Sequence, residues 1–238
     1  MAMIQSGKIP FIIAEMSGNH GGSLDKAKQL IRAAHEAGCD AVKFQLYRPD
    51  DMDDPANDEI YRECMVPQEW LEPMFLLAHW VGIPLFASVF AEWPIAMLRE
   101  WRAPAIKLAS PESTRLDEFT YRHLGRAINE AGVTLIASSG RKDMEAVHAL
   151  NPDVLMYCVA GYPANVTDDD LQYFTTLSKQ RTHRGFSDHS NDIKTPLAMI
   201  AAGATVIEKH FKLDDNCIDA TFSLNPQQMK MLCDIAHA

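Results

Sequence analysis

The residues able to do chemistry recur at the ends of short apolar runs. Phe11–Met16 carries Glu15 and is followed by Ser17, Asn19 and His20. Ala41–Leu46 carries Lys43-Phe44-Gln45, and Ala105–Ser110 carries Lys107 and Ser110, with Glu112 just beyond. Thr134–Ser139 ends in Ser138-Ser139-Gly140, Gly185–Asp188 brings Ser187 before His189, and Val206–Phe211 holds Glu208-Lys209-His210. A polar group in an otherwise apolar strand must face a cavity or a buried partner, and recurrence on six runs favours one shared pocket. With Glu15 the two lysines could form a structural ion network, but a buried lysine pair without an anion is costly, which favours a bound anionic ligand. His189 and His210 are satisfied core residues or ligands converging on one ion. Neutral imidazole suits Mn, Fe, Co or Zn, and added carboxylate and water ligands lean toward Mn²⁺. Ser138, Ser139 and Ser187 beside glycines are loop residues or donors to a phosphate. Tyr162-Pro163 and Asp168-Asp169-Asp170 read as a loop and a solvated helix start.

Positioning these groups requires a regular frame. Together with Pro84–Phe90 and Val154–Ala160, the runs above make eight candidate strands, each short and apolar enough to be buried on both faces, as parallel strands are. Helical stretches lie between them: Leu24–Ala37, Pro67–Trp80, Glu92–Trp101, Leu116–Ala131, Lys142–Leu150, Asp168–Lys179, Ile193–Ala202 and Pro226–Ala236. The first places Leu30, Ile31 and Ala34 on one face. Gly38, Gly132 and Gly203 stand where helices end, and Ser23, Asp168 and Asn225 where N-caps belong. Eight strand–helix units in 238 residues is the count of a (β/α)₈ barrel, expected as a single domain over residues 1–238. A doubly wound open sheet is the alternative, but Gly18-Asn19-His20-Gly21-Gly22 lacks the G-x-G-x-x-G turn. In a barrel, chemistry collects at the C-terminal ends of the strands, where the polar residues fall.

Bulk properties narrow the function. A hydrophobic fraction of 47% with 23% charged residues is that of a globular domain. A net charge of −10 argues against nucleic-acid binding, which needs a basic face, yet leaves room for a local cationic pocket. No apolar run is long enough to span a membrane and the first residues lack a signal-peptide core, so a cytoplasmic location is expected. Cys39, Cys64, Cys158, Cys217 and Cys233 form no CxxC pair and are expected as reduced thiols.

Several blocks, in order, resemble the sialic acid (N-acetylneuraminate) synthase family: Ile12-Ile13-Ala14-Glu15, Asn19-His20-Gly21-Gly22, Asp40 to Gln45, Ile106 to Ser110 with Glu112, and Ala137-Ser138-Ser139-Gly140. Tyr162-Pro163, Gly185 to Ser190, Gly203-Ala204 with Val206 to Phe211, and Asp219 with Phe222-Ser223-Leu224 continue the set. The resemblance implies a TIM barrel that condenses phosphoenolpyruvate with an aldose, giving a 3-deoxy-2-keto sugar acid and phosphate. It implies a divalent metal, Mn²⁺ foremost with Mg²⁺ or Co²⁺ as alternatives, on His189 and His210. By the same resemblance Lys43, Lys107, Ser110, Ser138 and Ser187 surround phosphoenolpyruvate, while Glu15, Glu112, Glu208, Tyr162 and Asp219 stand near the acceptor or the water. The expected catalytic set is therefore Glu15, Lys43, Lys107, Glu208 and Asp219, and the substrate-binding set Gln45, Ser110, Glu112, Ser138, Tyr162 and Ser187. Family members usually carry a C-terminal antifreeze-like domain that lends an arginine to the neighbouring subunit; this chain is expected as the barrel domain only, compatible with a homodimer.

Departures cluster on the acceptor side. Tyr157-Cys158-Val159-Ala160 replaces a histidine, cysteine and small polar residues, Asn191-Asp192 replaces a glycine, Pro111 replaces another, and Asn216-Cys217-Ile218 lacks a Gly-Pro. A different, smaller or acidic aldehyde is the expectation. The rival readings are a Schiff-base aldolase using Lys43 or Lys107, a metal-dependent hydrolase, although its strand-one His-x-His is missing, and a barrel that binds a phosphorylated ligand or partner without turnover.

Overall fold

A computed structural model describes residues 10–52, 54–111, 117–177 and 184–238. Eight parallel strands close into a barrel in sequence order: β1 Phe11–Glu15, β2 Ala41–Leu46, β3 Leu85–Val89, β4 Ala105–Leu108, β5 Thr134–Ser139, β6 Val154–Cys158, β7 Arg184–Asp188 and β8 Val206–His210. The helices are α1 Leu24–Glu36, α2 Asp58–Cys64, α3 Leu71–Val81, α4 Trp93–Glu100, α5 Glu118–Glu130, α6 Met144–His148, α7 Asp168–Leu177, α8 Lys194–Ala201 and α9 Pro226–Ala236. All eight expected strands are present within two residues of their expected ends, because apolar runs this short are too brief for a buried helix and suit strands covered on both faces.

The helices form for local reasons as well. In α1 the buried stripe is Ala27, Leu30, Ile31 and Ala34, the spacing of one face of a 3.6-residue helix. Ser23 caps it by accepting from Lys26 N at 3.3 Å. Asn225 and Gln228 form a reciprocal capping box at the start of α9, at 2.9 and 3.0 Å. The expected cap at Asp168 is corrected: Asp168 is already helical, and the capping pair is Thr167 with Asp170. Thr167 Oγ1 accepts from Asp170 N at 3.3 Å, and Asp170 Oδ2 accepts from Thr167 N at 2.9 Å. In a run of three aspartates the threonine before it was the less conspicuous cap. Gly38, Gly132 and Gly203 take φ of 87°, 70° and 103° just past α1, α5 and α8, the left-handed geometry that ends helices.

The segment between β2 and α3 has no counterpart in the sequence reading. Between β2 and α3 the chain makes two 3₁₀ turns, Pro49–Asp51 and Pro55–Asn57, and then α2. This excursion crosses the mouth of the barrel and is pinned by tertiary contacts. Trp93 Nε1 donates to Asp51 Oδ2 at 2.9 Å, and the Arg48 guanidinium lies 4.3 Å from the Trp93 ring centroid. Gly18 admits it: a Cβ there would sit 2.6 Å from Cys64 Sγ.

Strand register puts the polar residues on one face. The register partners are Glu15 with both Lys43 and His210, Gln45 with Ser88, Ser88 with Lys107, Cys158 with Ser187, and Ser187 with Glu208. Since side chains alternate along a strand, all of these share the barrel interior. The same face carries Ile13, Phe86, Ile136 and Met156, all fully buried, which form an apolar floor beneath the polar groups.

Candidate active site

The mouth of the barrel encloses a cavity of about 410 Å³. Every residue of the expected catalytic, substrate-binding and metal sets lines it except Glu112, which lies outside the described residues. Ser139 is corrected as a donor: it alternates to the outer face of β5, is fully buried, and its hydroxyl donates to Gly140 O at 2.8 Å, whereas Ser138 faces the cavity.

The floor of the cavity is an ion cluster. Lys43 Nζ contacts Glu15 Oε2, donates to Ser88 Oγ at 2.7 Å and lies 3.7 Å from Glu208 Oε2. Lys107 Nζ contacts Glu208 Oε1, which also accepts from Ser187 Oγ at 3.0 Å. Glu15 is oriented by Ser17 N, which donates to its Oε1 at 2.6 Å. The two lysines therefore already have counter-ions, and the structural-network reading is correct as far as charge balance goes. The same groups line the cavity, so the network and the site are one object.

Burial and pairing set the charge states. Burial works against the Lys43 ammonium, but Glu15 and Glu208 outweigh it and hold its pKa above the ordinary lysine value. Lys107 lies below that value: burial dominates, Glu208 offsets part of it, and repulsion from Lys43 adds to it. For Glu208, burial favours the neutral acid, but Lys107 and Lys43 overcome it and bring the pKa down to about 2.

At the mouth, C-terminal to Ser187 on β7 and Glu208 on β8, the wall is aromatic and imidazole. The rings of His189 and His210 are 5.3 Å apart between centroids, and Phe222 packs against His210 at 4.8 Å and His189 at 6.3 Å. Tyr162, 53% exposed, lies 4.6 Å from His189. Asp219 Oδ2 is 3.0 Å from His210 Nδ1, leaving Nε2 of that ring for the cavity. Burial raises the Asp219 pKa, but the bond to His210 and its charge bring it below the ordinary value. His189 is held well below the usual histidine range by burial, with His210 and Lys107 adding to it, so its ring is neutral.

Three residues outside the expected catalytic, substrate-binding and metal sets help build this site. Ser88, a lone hydroxyl in the apolar β3, holds Lys43; its polarity within that run was the available signal. Asn19 is fully buried, donates to Phe211 O at 2.9 Å and Ser223 Oγ at 3.0 Å, and accepts from Asp219 N at 3.0 Å, so it places the Asp219 segment. Phe222 backs both imidazoles. Met52, Asn57, Ile60 and Tyr61, from the excursion before α3, close the cavity from above.

The residues present suit a divalent cation. His189 Nδ1 is buried with no hydrogen-bond partner, and Asp219 orients His210 as carboxylates commonly orient metal-binding imidazoles. Three carboxylates (Glu15, Glu208 and Asp219) face two ammoniums (Lys43 and Lys107) in the lining, an excess of negative charge that a cation would reverse. Among the described residues no set of three or more His, Cys, Asp or Glu side chains gathers as ligands, so coordination beyond the two histidines would fall to water and substrate oxygens.

Fold and site together define a (β/α)₈ barrel with its polar cavity at the C-terminal strand ends, where barrel enzymes place their chemistry. The chain belongs to the NeuB family, which matches residues 30–238. It is 34% identical to the pseudaminic acid synthase of Campylobacter jejuni subsp. jejuni over 94% of this chain and 72% of that protein. It is 31% identical to the N,N'-diacetyllegionaminic acid synthase of Legionella pneumophila over 93% of this chain and 70% of that protein. The crystal structure of N-acetylneuraminic acid (sialic acid) synthetase from Leptospira borgpetersenii, in complex with citrate, aligns with a TM-score of 0.86 and 28% identity, covering 97% of this chain and 83% of that one. Among the described residues no helix is long and apolar enough to cross a membrane.

Proposed function

We propose that this protein condenses phosphoenolpyruvate with an aldose, giving a 3-deoxy-2-keto sugar acid and inorganic phosphate. The observation that carries the reading is the two-part cavity: buried lysines, carboxylates and serines lie beside a paired, carboxylate-oriented histidine wall. The relatives described above, synthases of pseudaminic, legionaminic and sialic acids, support the class of product.

In this reading Lys43 and Lys107 balance the phosphate and carboxylate of phosphoenolpyruvate, a preorganised electrostatic role. Ser138, whose buried hydroxyl has no partner, donates to the ligand together with Ser110 and Ser187. Glu208 holds the lysines in place rather than touching substrate. The methylene carbon of phosphoenolpyruvate forms a bond to the aldehyde carbon, and the aldehyde oxygen gains a proton to become a hydroxyl. Water adds at C2 and loses its proton to a carboxylate, either Glu15 or Asp219. The C2–O bond to phosphate then breaks as the C2 hydroxyl passes its remaining proton to the departing phosphate, leaving the ketone, and the proton held by the carboxylate makes good the one taken up by the aldehyde oxygen. A divalent metal on His189 and His210, Mn²⁺ foremost, would supply Lewis-acid polarisation of the acceptor carbonyl when bound. Tyr162, Gln45 and the residues above the cavity face the acceptor.

Phosphate release from phosphoenolpyruvate, measured with Mn²⁺ or EDTA across a panel of aldoses that includes N-acetylmannosamine, tests the proposal. Metal-dependent release with one sugar is expected and names the acceptor. Ligand-stabilised melting without turnover by any sugar would favour a binding protein instead. The lowered pKa of buried Lys107 also fits a Schiff-base nucleophile. Borohydride treatment with pyruvate separates the two chemistries, and no covalent adduct is expected.

A further inference from the structure

The polar residue preceding each cavity histidine points the other way. Asp188 and Lys209 are register partners on β7 and β8, and they alternate with Ser187, Glu208 and His210 onto the outer face of the barrel. Their side chains are 0% exposed, with Lys209 Nζ 2.7 Å from Asp188 Oδ2. Nothing in the chemistry proposed above uses them.

The pair also locks the backbone around His189. Asp188 Oδ1 accepts from Ser190 N at 2.9 Å and Asp188 Oδ2 from Ser190 Oγ at 2.9 Å. Lys209 Nζ donates to Ser190 O as well. Residues 188 and 190 are thus tied to each other and to β8, with His189 at the apex between them. The carbonyl of His189 accepts from Ala164 N at 2.8 Å, the fourth constraint on that turn. The His189 ring itself lacks this support, since its buried Nδ1 has no partner. Its position is set through the backbone, while that of His210 is set through Asp219.

A fully buried ion pair is a weak source of stability, because desolvating two charges offsets much of their attraction, and well-packed apolar replacements are often neutral or stabilising. What such a pair supplies is a fixed geometry between the two strand ends. We propose that Asp188, Lys209 and Ser190 form a brace outside the barrel that sets the separation of His189 and His210, and so act as positioning residues for a divalent cation held between those rings. The inference rests on the metal reading of the two histidines.

The test uses the full chain and Mn²⁺ alone, with binding followed by calorimetry and by the electron paramagnetic resonance of free Mn²⁺. The variant Asp188→Leu/Lys209→Met replaces the pair by apolar side chains. It is expected to bind Mn²⁺ about tenfold or more weakly, the size of effect typical of groups that support metal ligands, while phosphoenolpyruvate affinity without metal stays within about twofold. Should that variant not fold, Ser190→Ala removes one hydroxyl of the brace, and a loss of Mn²⁺ affinity of about threefold is expected. Unchanged Mn²⁺ affinity in a folded variant overturns the brace and leaves the metal reading standing. A wild-type chain that binds no Mn²⁺ overturns the metal reading, and the purpose assigned to the brace falls with it.

Discussion

The two walls of the cavity are built by different means. Glu15, Lys43, Lys107 and Glu208 stand on strands; Glu15 and Lys43 meet as register partners, and Lys107 meets Glu208 across the closed barrel. His189, Tyr162, Asp219 and Phe222 stand on segments after the strands, placed by Asn19, by the Asp188–Lys209 pair and by ring packing. The strand-borne wall is charge-balanced within itself and cannot be altered without disturbing the barrel. The loop-borne wall can change its shape while the barrel stays as it is. The departures from the resembled family pattern fall mainly on loop segments, as this difference in construction leads one to expect.

Breaking the strand-borne cluster has the largest expected effect. Lys43→Met leaves Glu15 and Glu208 buried with one cation between them, and loss of one partner from such a cluster costs about 3–5 kcal/mol. Phosphate release should fall about 10²–10³-fold, as when one preorganised donor is removed. Urea melts and single-turnover assays read the two effects. A Lys43→Met protein as stable as wild type would mean that the cluster serves binding alone, and the contrast between the walls would fail.

On the loop-borne wall, Asp219→Asn should separate function from stability. Mn²⁺ affinity is expected to drop by about 10–100-fold, with stability changing by no more than about 1 kcal/mol because the site is at the mouth and its neighbours remain paired. Titration calorimetry beside thermal melts checks this. A large loss of stability would show that the wall is structural as well.

The strand-borne cluster and the buried loop after β1, outside the cavity lining, should also part in acid. Glu208, with a pKa brought down to about 2 from 4.5, contributes stability that is fully present above about pH 4.5 and is lost as pH falls toward 2. His20, behind the loop after β1 and edge-on to Trp70 at 5.5 Å, is kept neutral by burial, its pKa lowered from 6.5 to about 4. Its contribution is complete above pH 6.5 and is lost between 6.5 and about 4, since the unfolded imidazole takes up the proton first. Urea stability against pH should therefore flatten in the upper window for His20→Gln and in the lower window for Glu208→Gln, each window sloping by at most about 1.4 kcal/mol per pH unit. Coincident changes in both variants would mean that His20 and Glu208 do not titrate in separate windows, and the contrast would fail.

The smallest effect is expected above the cavity. Ile60→Ala, on α2, should raise the KM for the aldose by a few-fold, on the order of 1 kcal/mol. The KM for phosphoenolpyruvate should not move, because Ile60 lines the cavity on the side away from its floor. Steady-state kinetics with each substrate varied in turn decides it, and an equal rise in both would place Ile60 over a shared entrance.

Much of this was legible in the residues. The eight strands announced themselves because each is buried on both faces and admits polar side chains only toward the cavity or onto a buried partner, which is why Glu15, Lys43, Lys107, Ser138, Ser187, Glu208 and His210 could be picked out of apolar runs. The excursion before α3 could not be read that way. Seven residues with only Cys64 buried carry no periodic stripe, and their place over the mouth depends on Trp93, Arg48 and the space left at Gly18. Lys209 was equally opaque. From sequence it is one more polar residue in Glu208-Lys209-His210, and only alternation within a closed barrel sends it outward to Asp188.

The sequence by itself determined the barrel and the chemical types at its mouth, since hydrophobic period and strand-end polarity are local properties that each segment carries. Only the tertiary structure decided that the lysines meet carboxylates before they meet a ligand, that Asp219 holds His210 across nine residues, and that Asp188 and Lys209 close on each other behind the site. Those pairings depend on strand register and barrel closure, which bring together residues far apart in the chain and which no single segment encodes.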